Sequence, residues 1–416
     1  MALARKSIKQ RYHPGNQMLL VMECFRRMTN DCIRIGMEFE KENGYVQSPS
    51  MKKPSLLSYR QLRDRYGGYS PYALGAISKA AGILSARAKS IKRGFRTRTP
   101  YLSRPMLVSC YGFKIQRGNL IIHLDAEKCE SIPLNSHTRA LLSDATLRVR
   151  SFTLTQESVS LCISKDVNAM EHADITGTAG VDRNLRNLAV GDEQLVTYYD
   201  IGKIVDIGDI TRSIIRSFKR ADVRITREIA SKYGKRKSDR TTQLINLVSK
   251  RVVENALTKR QAIVFEDIAG IRKLYRKGNG QGRSSRARMN SWPFYEVKRQ
   301  IQYKAAWEGV PVITLTKDET RGTTMDCPRC GERLQVPIRG DKEHHRQLWC
   351  EGCKTWRDRD LVAVLNISRR GWLRFDHSSK EGEAEEAVKG NAEHEGEPLI
   401  LRVDASKLRH EARRTQ

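Results

Sequence analysis

Three acidic residues in the second half of the chain stand where a charge is energetically costly. Asp182 interrupts an apolar stretch, Glu266 closes the apolar run 262–265, and Asp360 opens the segment DLVAVLNISRR, which has the pattern of a helix. A carboxylate beside an apolar strand is unfavourable unless a cation or hydrogen-bond donors compensate it. Hydrolysis of a phosphodiester uses several carboxylates that converge on two Mg²⁺ ions about 4 Å apart. We therefore predict that Asp182, Glu266 and Asp360 are catalytic and hold two Mg²⁺ ions, without a protein nucleophile.

Taken singly, an aspartate at the end of a strand is more often a structural or capping residue than a metal ligand. Asp267 and Asp358, which lie next to two of the candidates, illustrate this alternative. We expect one of them to face solvent and the other to cap a helix. The nuclease hypothesis therefore depends on the three candidates occurring together with the features described next.

Four cysteines form two Cys-x-x-Cys pairs separated by 19 residues: Cys327, Cys330, Cys350 and Cys353. Four thiolates at this spacing typically bind one Zn²⁺ in a closed tetrahedral site, which leaves no position for water. We predict one structural zinc, with free thiols or a redox pair as the alternatives. His344 and His345 lie between the pairs and are predicted to be surface residues. The other five cysteines are scattered, which is typical of thiols in a reducing compartment.

The balance of charges points to a polyanionic partner. The chain has 416 residues, with 76 Lys and Arg against 47 Asp and Glu, and hence a formal charge of +29. Nucleic acid fits this excess best, because each phosphate that a Lys or Arg neutralises releases counterions, which favours binding. No membrane partner is predicted, since an 18-residue apolar run, a lipidation motif and a signal peptide are all missing. We expect a cytoplasmic, nucleoid-associated protein of a prokaryotic cell.

The elements that must position these residues change in type along the chain. Residues 15–98 have helical periodicity, and 105–167 alternate as half-buried antiparallel strands do. From residue 180 the pattern becomes mixed. We predict a strand over 179–191, a strand in EQLVTYYDI, two long helices (Ile214, Phe218, Ala221, Ile225 and Ile229 on one face of the first), a strand in QAIVFEDIAGI, a helix over 292–308 and a strand in VPVITLTK. This succession is typical of a three-layer α/β core.

Several segments leave two interpretations open. The basic run from Arg87 to Arg98 is either a solvated helix end or a phosphate-binding surface. The loop 272–288 has seven cations and three glycines, and it is either a mobile loop or a lid that orders around a nucleic-acid strand. Tyr66, Tyr69 and Tyr72 could stack on bases or pack in a core.

The motifs together resemble the TnpB family of transposon-encoded RNA-guided nucleases, relatives of the compact type V CRISPR effectors. GVDRNLRNLAV looks like the first RuvC-type motif with Asp182, and IVFEDIAGI looks like the second with Glu266. RGTTMDCPRCG and CEGCKTWRDRDLVAVLNI look like the zinc ribbon followed by the third motif with Asp360. The resemblance is best over residues 179–371.

The resemblance implies an α+β multidomain protein with an RNase H-like (RuvC-type) nuclease core and an inserted zinc ribbon. The core would follow a β-barrel-like wedge domain that carries a helical recognition insertion. The implied boundaries are 1–14 and 99–178 for the wedge, 15–98 for the helical insertion, 179–318 and 355–373 for the nuclease, and 319–354 for the target-nucleic-acid-binding ribbon. Residues 374–416, which are largely acidic, are predicted to form a disordered tail.

The implied activity is Mg²⁺-dependent, RNA-guided cleavage of DNA beside a short flanking motif, on behalf of a transposable element. The implied partners are a guide RNA and target DNA in double- and single-stranded form. Two departures from the family pattern stand out: Asn184 replaces a common glycine, and Val362-Ala363-Val364 replaces the commoner Asn-Ala-Ala. Neither removes a predicted ligand. A catalytically silent guide-directed DNA-binding protein, a transposase and a structural RNA-binding protein remain as alternatives.

Overall fold

The computed structural model describes residues 2–43, 52–67, 72–124, 128–268, 270–338, 341, 343–377 and 397–408. Two compact units divide the chain: Leu3–Asp166, and Val167–Gln416 together with the first two residues. The division falls between Asp166 and Val167, twelve residues before the boundary at 178 that the resemblance implies.

Helices and antiparallel strands share one apolar core in the first unit. Its elements are β1 (Ala2–Arg11), α1 (Asn16–Asn43), α2 (Lys52–Tyr66), α3 (Ala73–Lys92), β2 (Met106–Ser109), β3 (Phe113–Gln116), β4 (Asn119–His123), β5 (Cys129–Pro133), α4 (Ser136–Leu142), β6 (Arg148–Thr155) and β7 (Ser158–Val167). The sheet orders are β1-β7-β6-β2 and β3-β4-β5. Met22, Phe25 and Met28 of α1 are fully buried and belong to the same core as Phe152 and Leu154 of β6, as the helical periodicity of this segment predicts.

Tight turns connect two pairs of antiparallel strands in this unit. Gln116 ends β3 and Asn119 begins β4, so that Arg117 and Gly118 form a two-residue loop. Both loop residues have positive φ, 48° and 75°, which is the backbone of the tight turn whose twist matches a two-stranded ribbon. Thr155 and Ser158 pair across the second turn.

A six-stranded sheet with helices on both faces forms the second unit. The elements are β8 (Gly177–Arg183), β9 (Asn187–Gly191), β10 (Leu195–Asp200), α5 (Lys203–Ser217), α6 (Val223–Thr258), β11 (Gln261–Glu266), α7 (Arg283–Ser291), α8 (Phe294–Glu308), β12 (Val312–Leu315), β13 (Gln347–Cys350), β14 (Thr355–Asp358), α9 (Arg359–His377) and β15 (Leu399–Asp404). The strand order is β12-β11-β8-β9-β10-β15, and β13 pairs with β14 separately. The mixed α/β pattern of the sequence is therefore confirmed.

Alternation along the central strands assigns the two faces of this sheet. Ile263 and Phe265 of β11 belong to the core formed with α6 and α8, whereas Val264 between them packs against Ile367 of α9. The same alternation in β8 directs Val181 to the first face. Because side chains alternate with a period of two, Asp182 and Glu266 are directed to the face that α9 covers.

Helix α9 lies unusually close to the sheet because glycines leave room for it. A Cβ at Gly180 would come within 2.2 Å of the Val364 carbonyl oxygen, and one at Gly371 would come within 2.2 Å of Val264 Cγ2. Real Cβ atoms do not occur at such short distances. A larger residue at either position would therefore force the helix away from the strands. This close packing sets where the first turn of α9 lies relative to the ends of β8 and β11.

Two local predictions in this unit are wrong. The segment 179–191 is a hairpin, β8 and β9, rather than one strand, and Asn184 lies in its turn. The apolar stripe from Ile214 to Ile229 does not lie on one helix, because α5 ends at Ser217 and α6 begins at Val223. Phe218 and Ile225 are 37% and 49% exposed, so this spacing reflects two helix ends rather than a buried face.

The prediction of a disordered tail from residue 374 onward is also wrong in part. Helix α9 continues to His377, and β15 pairs in parallel with β10 at the edge of the sheet. Ala405 and Leu408 beyond it are buried in the main core of the unit. The apolar run LILRV, which follows the acidic segment, has enough β propensity to add this strand. The acidic segment 378–396 and residues 409–416 lie outside the described residues.

None of the helices in the described part of the chain combines the length and apolar character that a bilayer-spanning segment needs.

Candidate functional site

The three predicted carboxylates line one cavity of about 380 Å³. The parallel register of β8 and β11 pairs Val181 with Phe265. The residues that follow, Asp182 and Glu266, are therefore neighbours at the same end of the sheet. Asp360 lies in the first turn of α9, which packs across this end, and is 5% exposed. The topology thus brings together three side chains that are 84 and 94 residues apart in sequence.

The electrostatics of the cavity favour the binding of cations. Burial, together with the neighbouring carboxylates of Asp360 and Glu266, raises the pKa of Asp182 to about 7, although hydrogen bonds from Asn184 and the Arg183 backbone oppose this rise. Like charges gathered in a site of low polarity repel one another and resist ionisation. A divalent cation would remove this penalty, so the donor set suits a hard ion such as Mg²⁺.

The spacing of the ligand atoms differs between the carboxylates and the cysteines. Among the described residues, the four cysteines are the group whose ligand atoms all lie within 4.8 Å of one another. The three carboxylates share the cavity without meeting this limit.

Each carboxylate accepts a hydrogen bond from a neutral donor. Asn184 Nδ2 lies 2.7 Å from Asp182 Oδ2, and Asn187 Nδ2 lies 3.1 Å from Asp360 Oδ2. Asn184 lies in the turn between β8 and β9, and Asn187 is the first residue of β9. Thr323 Oγ1 donates to Glu266 Oε1 over 2.6 Å. These donors restrict carboxylate rotation without adding charge, and they leave other lone pairs free for metal ions.

Two arginines add positive charge on different sides of the carboxylates. Arg346 Nη2 lies 2.5 Å from Asp360 Oδ2, and its side chain is 54% exposed at the cavity. Arg183 is buried on the opposite face of the sheet, where it donates to the carbonyl oxygens of Glu266 (2.8 Å) and Phe294 (3.3 Å). Burial lowers the pKa of Arg183 to about 10, so it stays charged at neutral pH and ties the end of β11 in place.

Asp358 is the helix cap that the sequence predicts among the neighbouring acids. Its Oδ1 accepts hydrogen bonds from the backbone N–H groups of Asp360 (2.9 Å) and Leu361 (3.0 Å), and from the Tyr198 hydroxyl (3.0 Å). These bonds satisfy donors at the start of α9 and fix the turn that carries Asp360. The other acid, Asp267, is half-buried rather than fully exposed to solvent.

The four cysteines of the two Cys-x-x-Cys pairs converge as their spacing predicts. Sγ atoms of Cys327 and Cys353 are 3.8 Å apart, and those of Cys330 and Cys350 are 3.4 Å apart. Burial raises the pKa of Cys327, but backbone N–H groups of Cys330 and Arg329 outweigh it and hold the value at about 7. Donors that stabilise a thiolate in this way are compatible with a closed, structural zinc site.

The histidines between the two cysteine pairs lie away from the sulfur cluster. His344 stacks on Trp356 with ring centroids 4.1 Å apart, and its Nδ1 pairs with Asp341 over 3.0 Å. His345 lines the carboxylate cavity together with Arg359. Arg357, by contrast, is buried and interacts with Cys353. The short spacing from the last cysteine to Asp360 therefore places parts of this insertion at the cavity.

Among the segments with two interpretations, the structure decides between the alternatives for two of the tyrosines. Tyr72 is 2% exposed and its hydroxyl donates to the His123 carbonyl, while Tyr66 bonds Asp31 over 2.7 Å and packs on the core, so both support the packing alternative. Tyr69 lies outside the described residues. Within the loop 272–288, a 3-10 helix (Ile271–Tyr275) precedes α7, and Tyr275 lines the cavity.

The raised pKa of Asp182 predicts a pH-dependent stability that an asparagine would remove. A folded-state pKa of about 7, above the ordinary 3.8, means that the folded protein holds this proton more tightly than the unfolded chain does. Stability is therefore lost as the pH rises from about 4 to 7. In magnesium-free buffer at pH 8, Asp182→Asn should raise Tm by about 5 °C, and the gain should vanish near pH 4. Thermal unfolding at both pH values checks this, and an equal Tm for the two proteins at pH 8 would contradict it.

The fold and site thus define an α/β protein with three carboxylates at one cavity and an inserted four-cysteine cluster. The Cas12f1-like, TNB domain family model matches residues 294–367, which contain the cysteines and Asp360. A solved complex of Cas12f1 with sgRNA and target DNA aligns with a TM-score of 0.56 at 15% identity, over 85% of this chain and 83% of that one. This likeness concerns the fold.

Two TnpB-like proteins of Methanocaldococcus jannaschii are similar in sequence. One is 30% identical over 142 residues, which are 34% of this chain and 47% of that protein, so the match spans about half the length of that relative. The other is 22% identical over 367 residues, 84% of this chain and 81% of that protein. These similarities agree with the resemblance of the motifs to the TnpB family.

Proposed function

We propose that the protein is an RNA-guided DNA endonuclease of a transposable element, which cleaves target DNA next to a short flanking motif. The observation that carries this proposal is the meeting of Asp182, Glu266 and Asp360 at one cavity. Three clustered carboxylates destabilise the fold unless a metal ion neutralises them. This energetic cost supports a function in which the site binds metal.

In this proposal the three carboxylates hold two Mg²⁺ ions. When bound, these ions activate water and stabilise the oxygen that leaves phosphorus. The chain itself orients the ligands. Asn184 and Asn187 hold the carboxylates of Asp182 and Asp360, and Arg183 fixes the end of the strand that carries Glu266. Arg346 presents a half-exposed guanidinium at the mouth of the cavity, where it can contact a phosphate oxygen.

The same proposal assigns roles to the domains. Residues 179–318 and 355–373 would be the RuvC-type, RNase H-like core, supported by the sheet β12-β11-β8-β9-β10 with α9 across it. Residues 319–354 would be a zinc ribbon that contacts target DNA, supported by the sulfur cluster. Residues 1–14 and 99–178 would be the wedge, and 15–98 the helical recognition insertion, supported by the sheets and the helices α1, α2 and α3.

The proposed partners are a guide RNA and target DNA. The net charge of +29 supports polyanion binding, and a solved Cas12f1 complex of similar fold contains sgRNA and target DNA. In such a complex, base pairing between guide and target would read the sequence, while the protein would recognise duplex shape and the flanking motif.

Sequencing of the RNA that copurifies with the protein tests the guided part of this proposal. We expect one discrete transcript from DNA that adjoins the gene, and Mg²⁺-dependent breaks in DNA complementary to its end. Random cellular RNA would contradict the guided function. Guided binding without cleavage would favour the catalytically silent alternative, and strand-transfer products would favour a transposase.

Arg346→Ala should lower the rate of DNA cleavage without weakening the binding of Mg²⁺. The substitution removes a cation from the mouth of the cavity, so cleavage at saturating Mg²⁺ should fall about 10- to 100-fold. Because Arg346 also pairs with Asp360 at 2.5 Å, its loss should not raise the Mg²⁺ concentration needed for half-maximal cleavage. Single-turnover rates over a Mg²⁺ titration measure both quantities, with Arg346→Lys expected to be intermediate. An unchanged rate at saturation would remove Arg346 from the proposed mechanism.

A further inference from the structure

Thr323 is a buried residue whose hydroxyl faces a carboxylate of the cavity. It is 3% exposed, and its Oγ1 lies 2.6 Å from Glu266 Oε1 and 3.0 Å from the Thr320 carbonyl oxygen. A hydroxyl carries one hydrogen, and the shorter distance to the charged acceptor identifies Glu266 as its partner. Thr323 lies in the segment RGTTMDCPRCG, but it is neither one of the three carboxylates nor one of the four cysteines.

The backbone around Thr323 is held by an asparagine of α9. Asn366 is 6% exposed, and its Nδ2 lies 2.8 Å from the carbonyl oxygens of both Thr323 and Asp326. Both hydrogens of one amide are thereby used on a single short segment. Asn366 lies six residues after Asp360 on the same helix, so α9 both carries one carboxylate and positions the segment that contacts another.

The same segment is anchored to the cysteine cluster. Met325 accepts a hydrogen bond from the Leu334 backbone N–H over 2.7 Å, and Cys327 N–H donates to the Glu332 carbonyl over 2.8 Å. Leu334 and Cys327 are both buried in the small core around the sulfurs. The position of Thr323 therefore depends on α9 on one side and on the folded insertion on the other.

Glu266 needs such a contact more than the two aspartates do. A glutamate has one more rotatable bond than an aspartate, so its carboxylate samples more positions unless a neighbour restrains it. Arg183 fixes the backbone carbonyl of Glu266, but Thr323 is the described residue whose side chain is hydrogen-bonded to the carboxylate itself. Hydrogen-bond partners of metal-ligating carboxylates determine how well the ligand is oriented.

We propose that Thr323 is a positioning residue for Glu266, and that it makes metal binding at the carboxylate cavity depend on the folded cysteine insertion through the segment 323–327. This inference rests on the proposed function in that Glu266 is taken to hold a metal ion. Its content is separate, since it concerns which residue orients the ligand and where that residue is anchored.

Thr323→Val, Thr323→Ser and Thr320→Val test the proposal as a set. Valine keeps the shape of threonine but removes the hydroxyl, and serine keeps the hydroxyl but removes the methyl group. Thr320→Val is the matched control, because its hydroxyl bonds the Lys317 carbonyl rather than a carboxylate. Mn²⁺ binding to the zinc-loaded, full-length protein is measured by electron paramagnetic resonance, and cleavage by Mg²⁺ titration. Zinc content and Tm show whether each variant is folded.

We expect Thr323→Val to weaken Mn²⁺ binding by about 10- to 100-fold, the range typical for loss of a ligand's hydrogen-bond partner. Thr323→Ser and Thr320→Val should stay within about threefold of the original protein, because both keep the hydroxyl at Glu266. Zinc content should not change in any variant. The Mg²⁺ concentration for half-maximal cleavage should rise in parallel with the Mn²⁺ effect.

Two results would overturn the inference while leaving the proposed function intact. One is Mn²⁺ binding by Thr323→Val as tight as by the original protein. The other is equal impairment of the serine and valine variants, which would assign the effect to packing of the methyl group. Conversely, weakened Mn²⁺ binding in the valine variant alone, from a protein that does not cleave guided targets, would support the inference and contradict the proposed function.

Discussion

Asp182→Ala should reduce guided DNA cleavage by at least about 1000-fold while leaving the binding of RNA and DNA nearly unchanged. Asp182 interacts electrostatically with both other carboxylates, since Asp360 and Glu266 each raise its pKa. Removing a ligand of this kind takes away the site for metal without disturbing the basic surfaces that bind phosphates. Single-turnover cleavage in Mg²⁺ and gel-shift titrations measure the two effects separately.

Asp206→Ala is the matched control for this substitution. Asp206 belongs to α5 of the same unit, and its side chain is 55% exposed and 3.7 Å from Arg186. An exposed pair of this kind contributes little to stability, so the control should cleave like the original protein. If Asp182→Ala cleaved as fast as Asp206→Ala, Asp182 would not be a catalytic ligand.

The second large effect is expected from Cys350→Ser, which should abolish zinc binding and, with it, cleavage by at least about 100-fold. Cys350 is fully buried, and its sulfur belongs to the cluster with Cys327, Cys330 and Cys353. A closed zinc site contributes directly to folding, so the insertion should lose its structure when one thiolate is missing. Cleavage should fail as a consequence, because this insertion supplies Arg346 at the cavity.

Metal analysis and limited proteolysis measure this outcome. The variant should contain less zinc than one equivalent and should be cut by protease within 319–354, a region that stays resistant in the original protein. Cys162→Ser provides the control, since Cys162 is a half-buried cysteine of the first unit and is not a member of the cluster. Full zinc content together with normal guided cleavage in Cys350→Ser would contradict a structural role for the metal.

The features that could be predicted from the sequence are those with a strong local signal. Asp182 lies near the end of one apolar strand and Glu266 ends another, and parallel pairing of β8 with β11 is enough to bring these two strand ends together. The two Cys-x-x-Cys pairs are constrained by the tetrahedral geometry of the metal they suit. Asp358 precedes a helix at the position where a cap is favoured. In each case a few neighbouring residues determine the structure.

The features that could not be predicted depend on contacts between distant segments. Thr323 lies 57 residues from Glu266, and Arg346 approaches Asp360 only because the cysteine insertion folds back on the cavity. No spacing rule connects such pairs. The strand β15 could not be predicted for a related reason. It follows an acidic segment, and its pairing with β10 joins residues about 200 positions apart. The acidic composition of the segment led to the prediction of disorder, although the short apolar run that follows it forms a strand stabilised by tertiary contacts.

The hairpin 179–191 shows a different limit. Its apolar residues continue on both sides of Asn184, Leu185 and Arg186, and no glycine or proline marks the turn. Glycine, proline and similar residues usually indicate where a turn lies. The turn nevertheless has a chemical use, because it directs the amides of Asn184 and Asn187 toward Asp182 and Asp360. Local sequence rules fail here at the site where function constrains the residues.

Anomalous diffraction from crystals soaked in Mn²⁺ tests most directly whether the three carboxylates share divalent ions. We expect anomalous peaks in the cavity lined by Asp182, Glu266 and Asp360, with at least one ion bound by two of these side chains and with no peaks there in Asp182→Ala. A cavity without Mn²⁺ at millimolar concentrations, in crystals that retain zinc at the cysteines, would contradict a metal-dependent nuclease centre.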